Sequence, residues 1–466
     1  MKPNYITIKA ASITFTEEKL RTPLMFGGGV VTAITKAAVS VTVENKAGKT
    51  GTGRGQILLS DLWAFPSLHI SHEAKDAAMR LMSRKYLSYV KGFSGFGHPV
   101  DIYMESKPHM KELCDEVTRE CSLRESFPFL AALVCASPVD MALHDAMGIA
   151  AGVSSYDLYG ADAMDNDVSR YLGSEFRGRC IAEYLRRDYR PELPVFHLVG
   201  GADKLYKTDV TKDDPADGYP VSLEEWIERD RVFCFKVKLK GKSVDEDAAR
   251  TIAVAECVEK TLARLNMPEY FLTIDQNEMC DAPAFDLEYL RKLKAKNSRA
   301  HEALLYIEQP TSRDIVKSAH DMRALSRLKP VLVDEGMVDI ETMNVALSHG
   351  WSGFALKVCK GLSSALIYTA MAEAKKLPYA VQDLTNPGLS LIASAGFAAR
   401  ITTVKGFESN VFQFIPSANT AEAKALPDFF SRSGGVIRTG VLNGNAGLGY
   451  SPDMKSAYRH GNVRMI

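Results

Sequence analysis

Five stretches decide the fold: FKVKLKG at residues 235–241, FLTIDQN at 271–277, LLYIEQP at 304–310, VLVDEG at 331–336 and FALKVCK at 354–360. Each is a short apolar run that ends on a charged or polar residue. Buried parallel strands of a β/α barrel read this way, because their last residues point into a site at the strands' C-terminal ends. Three ends offer carboxylates, Asp275, Glu308 and Asp334, with Glu335 beside the last. Two offer lysines, Lys238 and Lys357. The pattern predicts a hard-metal site with a base on each side.

The spacing of these landmarks fits successive strand–helix units of a barrel, which takes about 250 residues for eight repeats. After Lys238 comes a capping box, Ser243-x-x-Glu246, then an apolar stripe at helical spacing from Ala248 to Leu265. Upstream, residues 195–199 (VFHLV) read as the first barrel strand, with His197 near its end. Downstream, 379–382 (YAVQ) reads as the seventh and precedes Asp383. Residues 411–414 (VFQF) read as the eighth.

The chain has 466 residues, too many for one ordinary core, so a large domain with a smaller one is expected. Lys+Arg and Asp+Glu are both 57, and this balance argues against nucleic acid or a membrane surface as partner. The eight cysteines are scattered without a CxxC pair, which suits reduced core thiols and a cytoplasmic location. Residues 1–160 read as an α+β capping domain, 161–193 as an inserted excursion, 194–430 as the barrel, and 431–466 as a segment returning to the cap.

Within the cap, Val39, Val41 and Val43 share one strand face. The loop TPLMFGGG at 22–29 is either a plain connection or a mobile flap hinged at its glycines. AGKTGTG at 47–53 fails as a phosphate loop, since Val43 stands where the first glycine belongs, and reads instead as a turn followed by a glycine-rich strand. In PVDMALHDAMG, Asp140, His144 and Asp145 read as structural helix residues. The polar tract 204–219 reads as a long loop over the barrel mouth.

Oxygen-only ligands select a hard cation, Mg2+ with Mn2+ as substitute. Strand alternation would send only one of Asp334 and Glu335 to the axis. It puts Lys236, Lys238 and Lys240 on one face. An interior lysine beside a cation and other lysines should have its ammonium form disfavoured, so that it can act as a base. Lys238 and Lys357, on opposite sides of the barrel, could remove a proton from one face of a carbon acid and return it to the other. The substrate is then a small carboxylate, whose enediolate the metal stabilises.

The set KVK, DQN, IEQP, VDE and LKVCKG resembles the enolase superfamily, and within it the muconate-lactonizing-enzyme subgroup of the mandelate racemase/muconate lactonizing enzyme family. That resemblance implies a modified TIM barrel, (β/α)7β, with an α+β capping domain built from both termini. It implies Asp275, Glu308 and Asp334 as Mg2+ ligands, Lys238 and Lys357 as catalytic bases, and Asn277 and Glu335 near the metal. Lys236 would contact the substrate carboxylate, and Gln382 and Asp383 would belong to the recognition half of the site. A homo-oligomer is expected. Related dipeptide epimerases resemble one another in an acidic pair near the eighth strand, which 411–416 lacks. The implied activity is a racemase, epimerase or cycloisomerase. The alternatives are a lyase, such as an acid-sugar dehydratase or an o-succinylbenzoate-synthase-like enzyme, and a non-catalytic homologue.

Overall fold

The computed structural model describes residues 1–26 and 29–450. Gly27 and Gly28, the centre of the expected flap, lie outside the described residues.

The chain begins with three antiparallel strands, β1 (Ile6–Phe26), β2 (Gly29–Asn45) and β3 (Thr50–Leu58), in that spatial order. Val39, Val41 and Val43 face inward and are buried. The turn before β3 closes with Gly48 donating its N–H to the Asn45 carbonyl, at a glycine φ of 76°. The glycines that follow serve helix packing. Gly51, Gly53 and Gly55 alternate along β3 on the face where helix Phe129–Ala151 lies. A Cβ at Gly53 would stand 2.2 Å from the Ala142 carbonyl oxygen and the Ala146 nitrogen, and one at Gly55 would stand 2.1 Å from the Pro138 carbonyl oxygen. Gly53→Val should therefore lower stability by about 1–3 kcal/mol through overpacking. Thr52→Val, on the exposed face, should leave it nearly unchanged; denaturant midpoints of the two variants check this.

Helix Phe129–Ala151 is, among the described residues, the one helix long and apolar enough to cross a membrane, but 94% of its apolar window is buried between cap sheet and barrel. Its polar residues fasten neighbours. Asp145 accepts N–H bonds from Arg54 (3.0 Å) and from Leu448 of the C-terminal segment (2.9 Å). Asp140 accepts both the backbone N–H (2.9 Å) and the hydroxyl (2.6 Å) of Ser363.

Eight parallel strands form the closed barrel: β4 (Leu193–Val199), β5 (Cys234–Lys238), β6 (Phe271–Asp275), β7 (Leu304–Glu308), β8 (Val331–Val333), β9 (Gly353–Leu356), β10 (Tyr379–Gln382) and β11 (Phe407–Glu408). Pairing of β11 with β4 closes the ring, and β12 (Val436–Ile437) adds antiparallel to β4. Helices such as Val244–Arg264, capped by Ser243, fill the connections. The architecture is a modified TIM barrel with an N-terminal antiparallel cap.

The eighth strand differs from the sequence reading. Residues 411–414 form a short helix, and the strand is the two-residue β11 just before it. The apolar run VFQF satisfied a strand pattern, but burial alone does not separate a short strand from a short buried helix. Residues 161–193 run to the end of helix Gly388–Ala399, where Arg186 and Arg190 donate backbone N–H bonds to the Arg400 (2.6 Å) and Ala399 (2.9 Å) carbonyls. The 204–219 tract is tied to the cap hairpin. Arg21 of β1 reaches the Asp217 carboxylate (2.5 Å) and the Tyr219 carbonyl (3.0 Å), and no residue of the tract lines the central cavity.

Candidate active site

Parallel register builds the floor of the site. Lys238, Asp275 and Glu308 are paired neighbours, each the last residue of its strand. Asp334 follows β8, Lys357 follows β9, and Glu408 ends β11 in register with Gln382. A cavity of about 60 Å³ at these strand ends is lined by Lys236, Lys238, Asp275, Asn277, Glu308, Asp334, Glu335, Lys357 and Glu408. Apolar residues Leu62, Trp63, Leu198 and Leu384 line it as well. Several residues just past the strand ends hold left-handed φ without being glycine: Asn277 (47°), Glu278 (69°), Gln309 (31°) and Leu384 (54°). Such strain is characteristic of sites whose side chains are aimed at a cost to the backbone.

Lys236 is the hub. Its ammonium, 2% exposed as a residue, stands 2.9 Å from Asp275 Oδ2, 2.8 Å from Glu308 Oε1 and 2.9 Å from Glu408 Oε2. Burial works against its charge, but the three carboxylates outweigh burial and hold its pKa well above the lysine range. Asp275 is buried as well, and Lys236 with Lys238 holds it below the ordinary carboxylate range. One ammonium cannot neutralise three acids. Glu308 is the acid left short, pushed upward by burial and by the Asp275 charge despite Lys236.

Lys238 donates to Asp275 Oδ2 (2.5 Å) and Asn277 Oδ1 (2.9 Å). Lys357 pairs with Asp334 Oδ2 (3.1 Å) and donates to Gln382 Oε1, whose amide nitrogen in turn donates to Glu308. Burial opposes the Lys357 charge, yet Asp334 and Glu308 raise its pKa above the ordinary value. Carboxylates thus surround this ammonium and favour its charged form.

Asp334 and Glu335 both line the cavity, so alternation does not separate them; β8 stops at Val333 and the two acids lie in the turn beyond. Lys360 fixes Asp334, donating to its carbonyl (2.6 Å) and to Oδ1 (3.0 Å). Glu335 accepts the Trp63 indole N–H at 2.8 Å while its Oε2 has no partner. Burial, with Asp334 nearby, lifts its carboxyl to about 7. Asp383 turns away from the cavity to accept from Ser394. Lys240 lies beyond the end of β5, exposed and paired with Glu246 at 3.2 Å. His197 packs outward between Trp226 and Phe235.

Among the described residues no three acidic, histidine or cysteine side chains stand close enough to share one ion. The donor chemistry nevertheless fits a hard divalent cation. Five buried carboxylates face four lysines, and both the upward shift of Glu308 and the unpartnered Glu335 oxygen mark missing positive charge. A cation would have to take over bonds that Lys236 and Lys238 now make.

Residues 220–456, just over half of the chain, match the enolase C-terminal domain-like family. The chain belongs to that family. No curated protein matches the sequence. Solved structures similar to this enolase-family chain include an enolase from Bradyrhizobium complexed with magnesium and mandelic acid (16% identity, 96% of each chain, TM-score 0.56). Another is the L-Ala-D/L-Glu epimerase of Bacillus subtilis (17% identity, 88% of this chain and 89% of that one, TM-score 0.55). A third is muconate lactonizing enzyme from Pseudomonas fluorescens complexed with muconolactone (18% identity, 95% and 96%, TM-score 0.55). The enolase-family barrel therefore carries its strand-end acids and lysines on a fold shared with racemases, epimerases and cycloisomerases. Sequence reading passed over three of its cavity-region residues, Glu408, Trp63 and Lys360.

Proposed function

We propose that this protein is a Mg2+-dependent isomerase that removes and returns the proton α to the carboxylate of a small substrate. The observation that carries this reading is that Lys238 and Lys357 end strands four apart in an eight-stranded ring, so they face each other across a cavity that also holds Asp275, Glu308 and Asp334. Those three carboxylates would hold the cation, with Asn277 and Glu335 beside them. When bound, Mg2+ would stabilise negative charge on the substrate carboxylate as the α-proton leaves.

The chain's own groups do the rest. Lys236 Nζ, already turned toward carboxylate oxygens, would take the substrate carboxylate. Lys357 Nζ, held as ammonium by Asp334, is set to deliver a proton to one face. Lys238 Nζ takes a proton from the other once Asp275 Oδ2 has turned to another partner, with Asn277 helping to orient the amine. Leu62, Trp63, Leu198 and Leu384 exclude water from the reacting carbon. Gln382 links the Lys357 ammonium to Glu308 and fixes both.

The test is exchange of the α-hydrogen in D2O over a panel of small chiral carboxylates. Exchange should require Mg2+, stop when EDTA removes it, and resume on adding Mn2+. Exchange indifferent to EDTA would rule the cation out. A lyase reading competes, with one lysine removing the proton and the other only stabilising charge; loss of water with no stereoinversion would favour it. An ammonium-bearing substrate is disfavoured, because the acid on the eighth strand, Glu408, is already bonded to Lys236.

A further inference from the structure

A second cavity opens on the outer wall of the barrel, beside the seam where β11 pairs with β4. It measures about 610 Å³, against about 60 Å³ for the catalytic cavity, and the two share no lining residue. Small-molecule sites commonly span about 300–1,000 Å³. Helix Leu223–Asp230 supplies Arg229 and Asp230, and the segment after β11 supplies Phe412 and Asn419. Helix Thr420–Ala425 supplies Lys424, and the chain leading to β12 supplies Arg432.

Three of these side chains are cationic and one is acidic, so the wall of a chain that is neutral overall carries an excess of two positive charges. Asp230 is shared. Arg229 Nε donates to it at 2.7 Å and Arg432 Nη2 donates to its other oxygen, so one carboxylate serves two guanidiniums. Aromatic faces hold both arginines: the Trp226 ring lies 4.5 Å from Arg229 and 4.9 Å from Arg432, and the Phe412 ring lies 4.9 Å from Arg432. His197 Nδ1 accepts from Arg432 at 3.3 Å, and burial, with the arginines beside it, keeps the imidazole neutral. Two buried donors are left over. Arg432 Nε and Asn419 Nδ2 have no partner among the described residues, although each residue is only 3% exposed. The Asn419 amide is oriented by its other end, where Oδ1 accepts the Gly388 N–H at 2.8 Å. Buried donors without an acceptor are a standing cost that a ligand's oxygens would remove. Lys424 is exposed and has no carboxylate partner among the described residues.

We propose that this groove is a binding site for a phosphate monoester carried on an apolar body. A phosphate monoester brings about −1.5 to −2 of charge near pH 7 and three strong acceptor oxygens. That charge matches the excess on the wall, and the oxygens match the donors of Arg432 Nε, Asn419 Nδ2 and Lys424 Nζ. A carboxylate supplies half the charge. A bare phosphate would leave most of the groove empty, and Tyr219, 39% exposed, and Phe430 offer ring surface for the rest of the ligand.

The site is independent of the isomerase reading, so its test stands whatever becomes of that reading. The full chain, dialysed free of metal, is titrated calorimetrically with phenyl phosphate, inorganic phosphate, benzoate and phenol. Phenyl phosphate should bind at least about tenfold tighter than inorganic phosphate or benzoate, and phenol should give no heat. Lys424→Ala, at an exposed position, should weaken phenyl phosphate about tenfold, the worth of one charge-assisted hydrogen bond. Asn419→Asp keeps an oxygen for the Gly388 N–H but replaces the donor with an anion, and should weaken binding at least about 100-fold. Lys357→Met, in the catalytic cavity, should leave the affinity within about twofold. Benzoate binding as tightly as phenyl phosphate overturns the assignment to phosphate, and inorganic phosphate doing so overturns the apolar body. No heat with millimolar phenyl phosphate overturns the site itself. So does binding that Lys357→Met abolishes and Lys424→Ala leaves unchanged, since that result puts the anion in the catalytic cavity.

Discussion

Lys238→Met and Lys357→Met should each abolish net turnover, lowering kcat/KM by about 100- to 10,000-fold, the range for loss of a general acid or base. The informative result is what survives. With Lys357 gone, the enantiomer whose α-proton faces Lys238 should still exchange in D2O without inverting, because Lys238 can return a solvent deuteron to the face it attacked. With Lys238 gone, the other enantiomer should behave the same way. Both variants should fold. Methionine matches the lysine stem, and each carboxylate left behind keeps a second lysine: Asp275 keeps Lys236 at 2.9 Å and Asp334 keeps Lys360 at 3.0 Å. A single-base lyase predicts something different, namely that only one of the two substitutions stops proton removal. Exchange of both enantiomers at the parent rate in either variant would remove that lysine from the chemistry.

Residues were legible in sequence where chemistry and regular structure coincide. Asp275 and Glu308 each close an apolar strand, and parallel register makes such residues neighbours, so strand-end position was enough to find them. Asp334 and Glu335 were found by the same signal, but the alternation argument failed because both lie beyond the strand. Glu408 gave no such signal. Its strand is two residues long, and what seats it is Gly406, where a Cβ would meet the Pro194 carbonyl at 2.2 Å. A close approach of two backbones leaves no hydrophobic period to read. Trp63 was invisible for another reason. It lies in a four-residue helix after β3 and meets Glu335 across 272 residues of chain, a contact that only the packing of cap on barrel creates. The lysine environment depends on how many acids converge, which strand spacing does not reveal. A cation and neighbouring lysines suggested mutual repulsion, whereas Asp275, Glu308, Asp334 and Glu408 raise the pKa of the Lys236 and Lys357 ammonium groups.

That charge balance makes Lys236 the residue whose loss should most weaken the fold. Lys236→Met leaves Asp275, Glu308 and Glu408 facing one another in a buried site, and removing one partner of a buried ionic cluster costs about 3–5 kcal/mol. The pH dependence has a definite sign. In the parent, Asp275 is held below its unfolded value, so its contribution is present above that value and is lost as pH falls. Glu308 is raised, so its contribution is present at acid pH and is lost as pH rises through its folded value. Without Lys236 both carboxyls move upward, Asp275 comes to behave as Glu308 does, and protonation relieves the repulsion. The stability deficit of Lys236→Met relative to the parent should therefore be smallest near pH 4 and grow steadily toward pH 9, as measured by denaturant unfolding across that range. Adding Glu408→Gln removes one of the stranded charges and should recover part of the deficit at pH 8 while changing little at pH 4. A deficit that shrinks as pH rises would mean that Lys236 serves as packing volume and not as the counter-charge of the site.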